Sequence, residues 1–242
     1  MTRLLTAMRT DVTVQVRTNL YAIGCGAGAI VAAIMAWLIS PAELPSVVPA
    51  LMLIVTGGST LLYVAGMILF EKDEGTLGAN IVSPLRTSEY LWSKIITLTA
   101  LATLESVVMI GGAMLAMSFS QDIRLPNIPI LLAGIMLIGV VYTLTGIVLV
   151  VRFDKITDYL IPMAGVAVVL QLPFLYFLGW VKHPLLLLIP TSAPTVLMQG
   201  AYMPLAGWEW LYAIGYTAAL IVGLAMWAQR AFHAHVIMKV GS

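Results

Sequence analysis

The chain has 242 residues, of which 61% are hydrophobic and only 10% are charged, and its mean hydropathy is +1.01. Soluble domains are about half apolar and about a quarter charged, so this composition excludes a soluble protein and indicates a polytopic membrane protein. The net charge of +1, without any basic run of five residues, also argues against nucleic acid as a partner.

Residues 1–19 are predicted to form an amphipathic helix at the membrane surface. Apolar residues recur at helical spacing on one side of this segment, namely Leu4, Leu5, Met8, Val12 and Val16. Arg9, Arg17 and several threonines fall on the other side. A helix divided in this way lies flat in the lipid bilayer interface.

Six apolar segments follow, each long enough to span a bilayer as a helix. The predicted spans are residues 20–39, 47–69, 95–119, 130–151, 159–180 and 208–229. In the first span, Gly24 and Gly28 are four positions apart, which either lets another helix approach closely or reflects only the tolerance of membrane helices for glycine. The predicted fold is therefore an all-α, six-span bundle over residues 20–229, in a single transmembrane domain that covers residues 1–242.

Prolines interrupt the apolar sequence near the end of the fifth span and beyond it. Pro173 is expected to kink that span. Residues 182–207 are apolar, but they are broken by Pro184, Pro190, Pro194 and Pro204. An uninterrupted helix of about 20 residues does not fit there. The segment is therefore predicted to fold as short helices that re-enter the outer face of the bundle.

The positive residues predict the orientation of the chain. With the N-terminus in the cytoplasm, ten of the 12 lysines and arginines lie inside, and only Arg124 and Lys182 lie outside. Cytoplasmic loops carry such an excess, so both termini are predicted to be cytoplasmic in a protein of the cell membrane. Residues 230–242 are then a short cytoplasmic tail.

Residues 70–94 form a long polar interruption that carries seven of the 23 charged residues, so they must lie in water between the second and third spans. Ser83 precedes Pro84, and this pair disfavours a continuing helix but suits the start of a new one. Glu89 then falls in a first helical turn, where the helix dipole favours a carboxylate. The pattern predicts a helix, a break and a second helix, although an ordinary solvated loop remains an alternative.

One acidic residue lies inside a span. Glu105 is about ten residues into the third span, which a rise of 1.5 Å per residue places roughly 15 Å deep, near the bilayer centre. A carboxylate there usually faces a cavity or a polar partner, and the candidate partners at similar depth are Gln171 on the fifth span and Tyr63 on the second. The candidate substrate-pathway residues are Glu105, Tyr63, Gln171 and Phe174. A protonated glutamic acid that only holds helices together is the alternative.

The sequence offers no catalytic machinery of its own. All three histidines lie outside the spans, and neither H-E-x-x-H nor the G-x-x-x-x-G-K-[ST] phosphate loop is present. We therefore expect no catalytic residue, no metal site and no ATP hydrolysis by this chain alone.

The polar segment resembles a family signature. The run E-K-D-E-G-T-L from Glu71, the pair Ser83 and Pro84, Tyr90-Leu91, and Lys94 are similar to the region between spans two and three in permeases of the type 2 ABC exporter family. Lys72 stands where many members have arginine. The amphipathic helix, six spans and broken outer segment also match, so the resemblance covers essentially the full chain.

The resemblance implies the permease half of an ATP-driven exporter, paired with a second copy of itself or a homologous permease. A separate ATP-binding subunit would hold ATP and Mg²⁺, so this chain would need no cofactor. The implied ATPase-coupling residues are Glu71, Glu74, Gly75, Thr76, Ser83 and Pro84. The chain is most similar to permeases for fluoroquinolone efflux, and spans without paired charges favour a hydrophobic or amphipathic cargo, drug-like or lipid-like.

Two other functions remain open from the sequence. An ion-coupled secondary transporter would use Glu105 as its proton site, although no internal repeat is legible. A membrane-bound immunity or assembly factor would share the six spans without transporting anything. Copurification with an ATPase would favour the exporter over both, whereas pH-driven uptake without ATP would favour the secondary transporter.

Overall fold

The computed structural model describes residues 2–76 and 86–237, and the regular elements among them are all helical. The α-helices are α1 (Thr2–Arg17), α2 (Leu20–Leu38), α3 (Leu44–Asp73), α4 (Thr87–Ser118), α5 (Ile128–Val150), α6 (Ile156–Gln171), α7 (Phe174–Phe177), α8 (Ser192–Gln199), α9 (Gly207–Leu211) and α10 (Thr217–Phe232). Tighter 3-10 turns cover Pro41–Glu43 and Pro184–Leu188, and wider π turns cover Tyr212–Tyr216 and His233–Ile237.

Six helical segments in the described ranges are long and apolar enough to cross a membrane. They are Leu20–Leu38, Pro41–Asp73, Thr87–Ser118, Ile128–Val150, Ile156–Phe177 and Gly207–Val236. Helices satisfy their own backbone hydrogen bonds, which is the requirement for crossing hydrocarbon. The prediction of an all-α, multi-pass membrane protein with six spans is therefore confirmed.

The bundle is built around α5. This helix contacts α3, α4, α8 and α10, while α2 packs on α4 and α6 packs on α3. The peripheral helices α2, α6 and α10 expose apolar side chains such as Ile30, Ile161 and Val222. Apolar surfaces of this kind suit contact with lipid.

Two apolar clusters fill the bundle, and a polar layer separates them. One cluster is built around Leu53 and Leu131, and the other around Ile68 and Val150. The layer between them contains the buried residues Thr56, Thr60, Glu105 and Ser106. The hydroxyl groups of Thr56 on α3 and Ser106 on α4 are 3.0 Å apart and share a hydrogen bond. Polar groups are thus concentrated at the middle of the bundle.

The fifth span breaks at Pro173, as the sequence predicts. α6 ends at Gln171, and the short α7 begins directly after the proline. The carbonyl of Leu170 accepts hydrogen bonds from the Tyr142 hydroxyl at 3.5 Å and the Thr191 hydroxyl at 2.5 Å. Side chains from α5 and from the start of the outer segment therefore satisfy the backbone that the break releases.

The outer segment folds into the predicted short helices. Residues Ser192–Met198 of α8 are all buried, and the helix packs against α5. Gly134 permits this contact, since a Cβ atom there would lie 2.3 Å from Cγ of Met198. The backbone N–H of Asn127 donates to the carbonyl of Ala201 at 2.7 Å, which fixes the segment to the loop before α5.

α1 has two unlike faces. Asp11 and Gln15 are buried against α4, and the Gln15 amide donates to the Thr97 hydroxyl at 3.1 Å. Leu5 and Val16 are exposed on the side that points away from the bundle. The side that contacts protein is mixed, since Met8 and Val14 are partly buried beside these polar residues, whereas Arg9 and Arg17 are exposed together with the outward apolar side chains. Exposed apolar and basic residues on one helix suit a position at the membrane surface.

The last helix continues past residue 229, where the sequence predicts a tail. α10 ends at Phe232, and a π turn carries the helix on to Ile237. The Phe232 ring packs against the Tyr90 ring near the start of α4, with 5.3 Å between ring centroids. Burial of Phe232 against α4 explains why the helix extends.

Candidate functional site

A buried ion network joins three helices at the end of the bundle that carries the polar segment. Lys94 of α4 is fully buried, and its ammonium group contacts Asp11 of α1 at 2.5 Å and also Glu71 of α3. The Tyr90 hydroxyl donates to Glu71 at 2.7 Å, and the Ser93 hydroxyl donates to Asp11. The buried charges are therefore paired and hydrogen-bonded, as stable buried ions must be.

The neighbouring Lys72 ties α3 to a fourth element. Its ammonium group donates to the carbonyls of Val151 at 3.1 Å and Phe153 at 2.6 Å, and it lies 3.5 Å from a carboxylate oxygen of Asp154. Carbonyls at the end of a helix lack helical partners, so a cation caps the end of α5 here. The consecutive residues Glu71 and Lys72 thus anchor the end of α3 in two directions.

Beyond these anchors, α3 ends in an exposed acidic turn. Gly75 has a φ of +68°, in the left-handed region that favours glycine and commonly follows the last turn of a helix. The Thr76 hydroxyl donates to the Glu71 carbonyl at 3.2 Å and closes the turn. Asp73 and Glu74 are exposed, and within residues 2–76 and 86–237 they form no ion pair.

The predicted coupling residues therefore occupy different positions. Glu71 points into the ion network, whereas Glu74, Gly75 and Thr76 form the exposed turn. Ser83 and Pro84, with the predicted helix break, lie outside the described residues. α3 has already ended at Asp73, before that pair is reached.

Glu89 caps the first turn of α4 by accepting a hydrogen bond from the backbone N–H of Arg86 at 2.9 Å.

The carboxyl group of Glu105 lies in the polar layer and is only 1% exposed. One of its oxygens, Oε2, accepts hydrogen bonds from the hydroxyls of Ser59 at 2.8 Å and Tyr63 at 3.1 Å. The other oxygen, Oε1, is buried without a hydrogen-bond partner among the described groups. The structure thus brings Tyr63 to Glu105, as expected, and adds Ser59.

Two glycines of α2 cover this carboxyl group. A Cβ atom at Gly24 would lie 2.8 Å from the Tyr63 hydroxyl oxygen, and one at Gly28 would lie 2.8 Å from the backbone carbonyl oxygen of Glu105. The paired glycines therefore allow the close helix approach that the sequence predicts. α2 lies directly over Glu105 and separates it from the surroundings.

Gln171 is not a partner of Glu105, which corrects the expectation from sequence depth. Its amide donates to the carbonyl of Ile54 at 3.3 Å. Ile54 and Ser59 are five residues apart on α3, so they point to different sides of that helix. Phe174 lies beyond Gln171 and packs edge-on against Trp180, with 6.0 Å between ring centroids. Equal depth in the membrane did not imply proximity.

The sequence analysis overlooked Asp11 and Ser59. Asp11 and Gln15 are four residues apart on α1, so they share one side of the helix, and this spacing could have indicated a polar contact with another helix. Ser59 is four residues before Tyr63 on α3, so the two hydroxyls share one side of the helix. No sequence signal links either residue to its partner on α4.

Comparison with known proteins agrees with this architecture. A model described as the Fluoroquinolones export permease protein family matches residues 2–240. Proteins named Fluoroquinolones export permease protein in two strains of Mycobacterium tuberculosis, CDC 1551 and H37Rv, are each 32% identical over 247 residues. These alignments cover 100% of this chain and 99% of each relative. With its six membrane-spanning helices, the chain belongs to the fluoroquinolones export permease protein family.

Proposed function

We propose that this chain is the transmembrane subunit of an ATP-driven drug exporter, powered by a separate ATP-binding subunit that holds ATP and Mg²⁺. The observation that carries the proposal is the exposed acidic turn after α3. Asp73 and Glu74 lie at a helix C-terminus, where the helix dipole disfavours negative charge, and no described cation pairs with them. Their placement suits contact with basic residues of a partner.

The anchors behind this turn support a coupling role. Glu71 connects it to α1 and α4 through Lys94, and Lys72 connects it to the end of α5. A displacement of the turn is therefore transmitted to several helices rather than absorbed by a free loop. We infer that Glu71 transmits movement, while Glu74, Gly75 and Thr76 provide the contact.

The proposed complex contains two copies of the permease, or this chain with a homologous one, and has both termini in the cytoplasm. The exposed apolar residues Ile54 and Leu62 of α3 offer surface for the second copy. Gln171 and Phe174 flank the same part of α3 through α6 and α7. We propose that they line the route near the outer end.

The relatives' names support a fluoroquinolone or similar amphipathic drug as cargo. We infer that movement of α2 uncovers Glu105, whose unpaired Oε1 can then accept a hydrogen bond from a basic amine. The same unpaired oxygen supports a second candidate function, in which Glu105 carries protons in a secondary transporter. Export that requires ATP and the partner subunit would favour the first function.

Coupling can be tested with Glu74→Arg combined with Gly75→Pro. Arginine reverses the exposed charge, and proline cannot adopt the positive φ of Gly75. We expect a folded, inserted permease that no longer stimulates ATP hydrolysis by its copurified partner. Asp158→Arg, an exposed charge reversal in the first turn of α6, is the control. Full stimulation by the double variant would place the contact elsewhere.

A conservative change at Glu105 separates its possible roles. Glu105→Gln keeps an acceptor for the hydroxyls of Ser59 and Tyr63, so the free energy of unfolding in detergent should change by only about 1 kcal/mol. Glu105→Leu should be less stable, because it leaves the buried Tyr63 hydroxyl without its acceptor.

The Gln variant should lose export of cationic drugs measured in drug-loaded cells. Export of every tested cargo by the Gln variant at the wild-type rate would leave Glu105 with a structural role only.

A further inference from the structure

A cavity of about 570 Å³ lies among the loops at the end of the bundle opposite the ion network. Its walls come from the connections before α3, between α4 and α5, and between α8 and α9. The lining includes Pro41, Asp122, Arg124, Pro126, Ala201 and Tyr202. Binding sites for small molecules have volumes of about 300–1,000 Å³, so the cavity has a suitable size.

The cavity carries one charge of each sign. Asp122 and Arg124 both line it, and neither forms an ion pair with any residue in the described ranges. Ile123 between them packs against the apolar core. Its two neighbours therefore project to the other side, as alternating residues of an extended loop do. Since the described lining contains no further charged residue, the cavity is neutral but dipolar.

Tyr202 lies in the same wall. Its oxygen is buried and has no hydrogen-bond partner among the residues that the structure describes. Burial raises the pKa of the Tyr202 phenol, so the group remains a neutral donor at physiological pH. Buried hydroxyls are normally hydrogen-bonded, but this oxygen is covered by protein and is not open to the cavity, so the charges of Asp122 and Arg124 are the groups that a ligand can reach.

Hydrogen bonds hold two parts of the wall in place. The backbone N–H and the hydroxyl of Ser40 each donate to the Glu43 carboxylate at 2.9 Å, which holds the turn that contains Pro41. The hydrogen bond from Asn127 to Ala201 joins the other two connections. A preformed cavity loses little conformational freedom on binding.

We propose that this cavity binds a small zwitterion. The ammonium group of the ligand pairs with Asp122, and its carboxylate pairs with Arg124. The site is far from the acidic turn and from Glu105, so it is separate from the coupling and pathway roles proposed above. A phosphatidylethanolamine headgroup offers the same pair of opposite charges.

Binding of Nε-dansyl-lysine to the full chain in phosphatidylglycerol nanodiscs tests this proposal by fluorescence. Its methyl ester keeps only the ammonium group, and its Nα-acetyl derivative keeps only the carboxylate. For the wild type, each derivative should bind about two- to fivefold more weakly than the zwitterion, the effect of one exposed ion pair.

Two variants assign the charges. Asp122→Asn should weaken binding of the zwitterion and of the methyl ester but leave binding of the acetyl derivative unchanged. Arg124→Gln should weaken binding of the zwitterion and of the acetyl derivative but leave binding of the methyl ester unchanged. Asp158→Asn and Arg230→Gln make the same charge changes at the opposite end and should bind every probe like the wild type.

Adding phosphatidylethanolamine to the nanodiscs distinguishes the two sources of ligand. If the lipid competes in the wild type and competes less in Asp122→Asn, its headgroup is an occupant of the cavity. Absence of competition would exclude the lipid headgroup and restrict the proposal to soluble zwitterions such as the probe. Equal binding of all three probes to the wild type, or unchanged binding by both charge variants, would overturn the proposal. Because no ATPase and no transport is involved, the result is independent of the exporter assignment.

Discussion

Lys94→Met is expected to lower the free energy of unfolding by about 3–5 kcal/mol, the cost of removing one partner from a buried ion pair. Methionine has a similar length but no charge, so the carboxylates of Asp11 and Glu71 lose their shared cation while remaining largely buried. Unfolding by heat or denaturant in detergent measures the loss. Lys155→Met removes an exposed lysine as the matched control and should change stability by at most about 0.5 kcal/mol.

Compensation provides the stricter test of this network. Adding Asp11→Asn and Glu71→Gln to Lys94→Met removes the charges that the single variant leaves unpaired. The triple variant should therefore be more stable than Lys94→Met alone, because the three residues are coupled and their effects do not add. Progressive loss of stability with each added substitution would show that the three residues act independently.

Gly57→Ala should destabilise the bundle by about 3 kcal/mol, the upper end of the usual cost of overpacking. A Cβ atom at Gly57 would lie 2.3 Å from Cζ of Tyr142 and 2.5 Å from its hydroxyl oxygen. The ring would have to move, and its hydroxyl would lose its hydrogen bond to the carbonyl of Leu53, which is 3.0 Å long. Thermal unfolding in detergent measures the effect.

The adjacent glycine is the control for that substitution. A Cβ atom at Gly58 would meet only the Gln171 amide nitrogen, at an ordinary 3.7 Å. Gly58→Ala should therefore be neutral or stabilising by up to about 1 kcal/mol, since alanine favours a helix. Adding Tyr142→Leu to Gly57→Ala should restore part of the lost stability, because the smaller leucine leaves room for the new Cβ atom. Equal effects at the two glycines would contradict the packing described for Tyr142.

The ends of the helices show where prediction from hydropathy was incomplete. The predicted spans stop at the charged cluster of residues 70–94, so the second span ends at residue 69 and the third begins at residue 95. The structure extends these helices to Asp73 and back to Thr87. Glu71 and Lys94 lie in the additional turns, and they are tolerated there because each neutralises the other. Their pairing depends on the packing of α3 against α4.

The sequence by itself determined the six spans, the break at Pro173 and the amphipathic first helix. These features depend on composition and local geometry, since apolar length defines a span and proline cannot donate a backbone hydrogen bond. Only the tertiary structure decided which polar residues meet. Lys94 lies between Asp11 and Glu71. Glu105 accepts hydrogen bonds from Ser59 and Tyr63, whereas Gln171 bonds to the carbonyl of Ile54. Such pairings depend on the rotation of each helix about its axis, which is set by packing against neighbours and not by membrane depth.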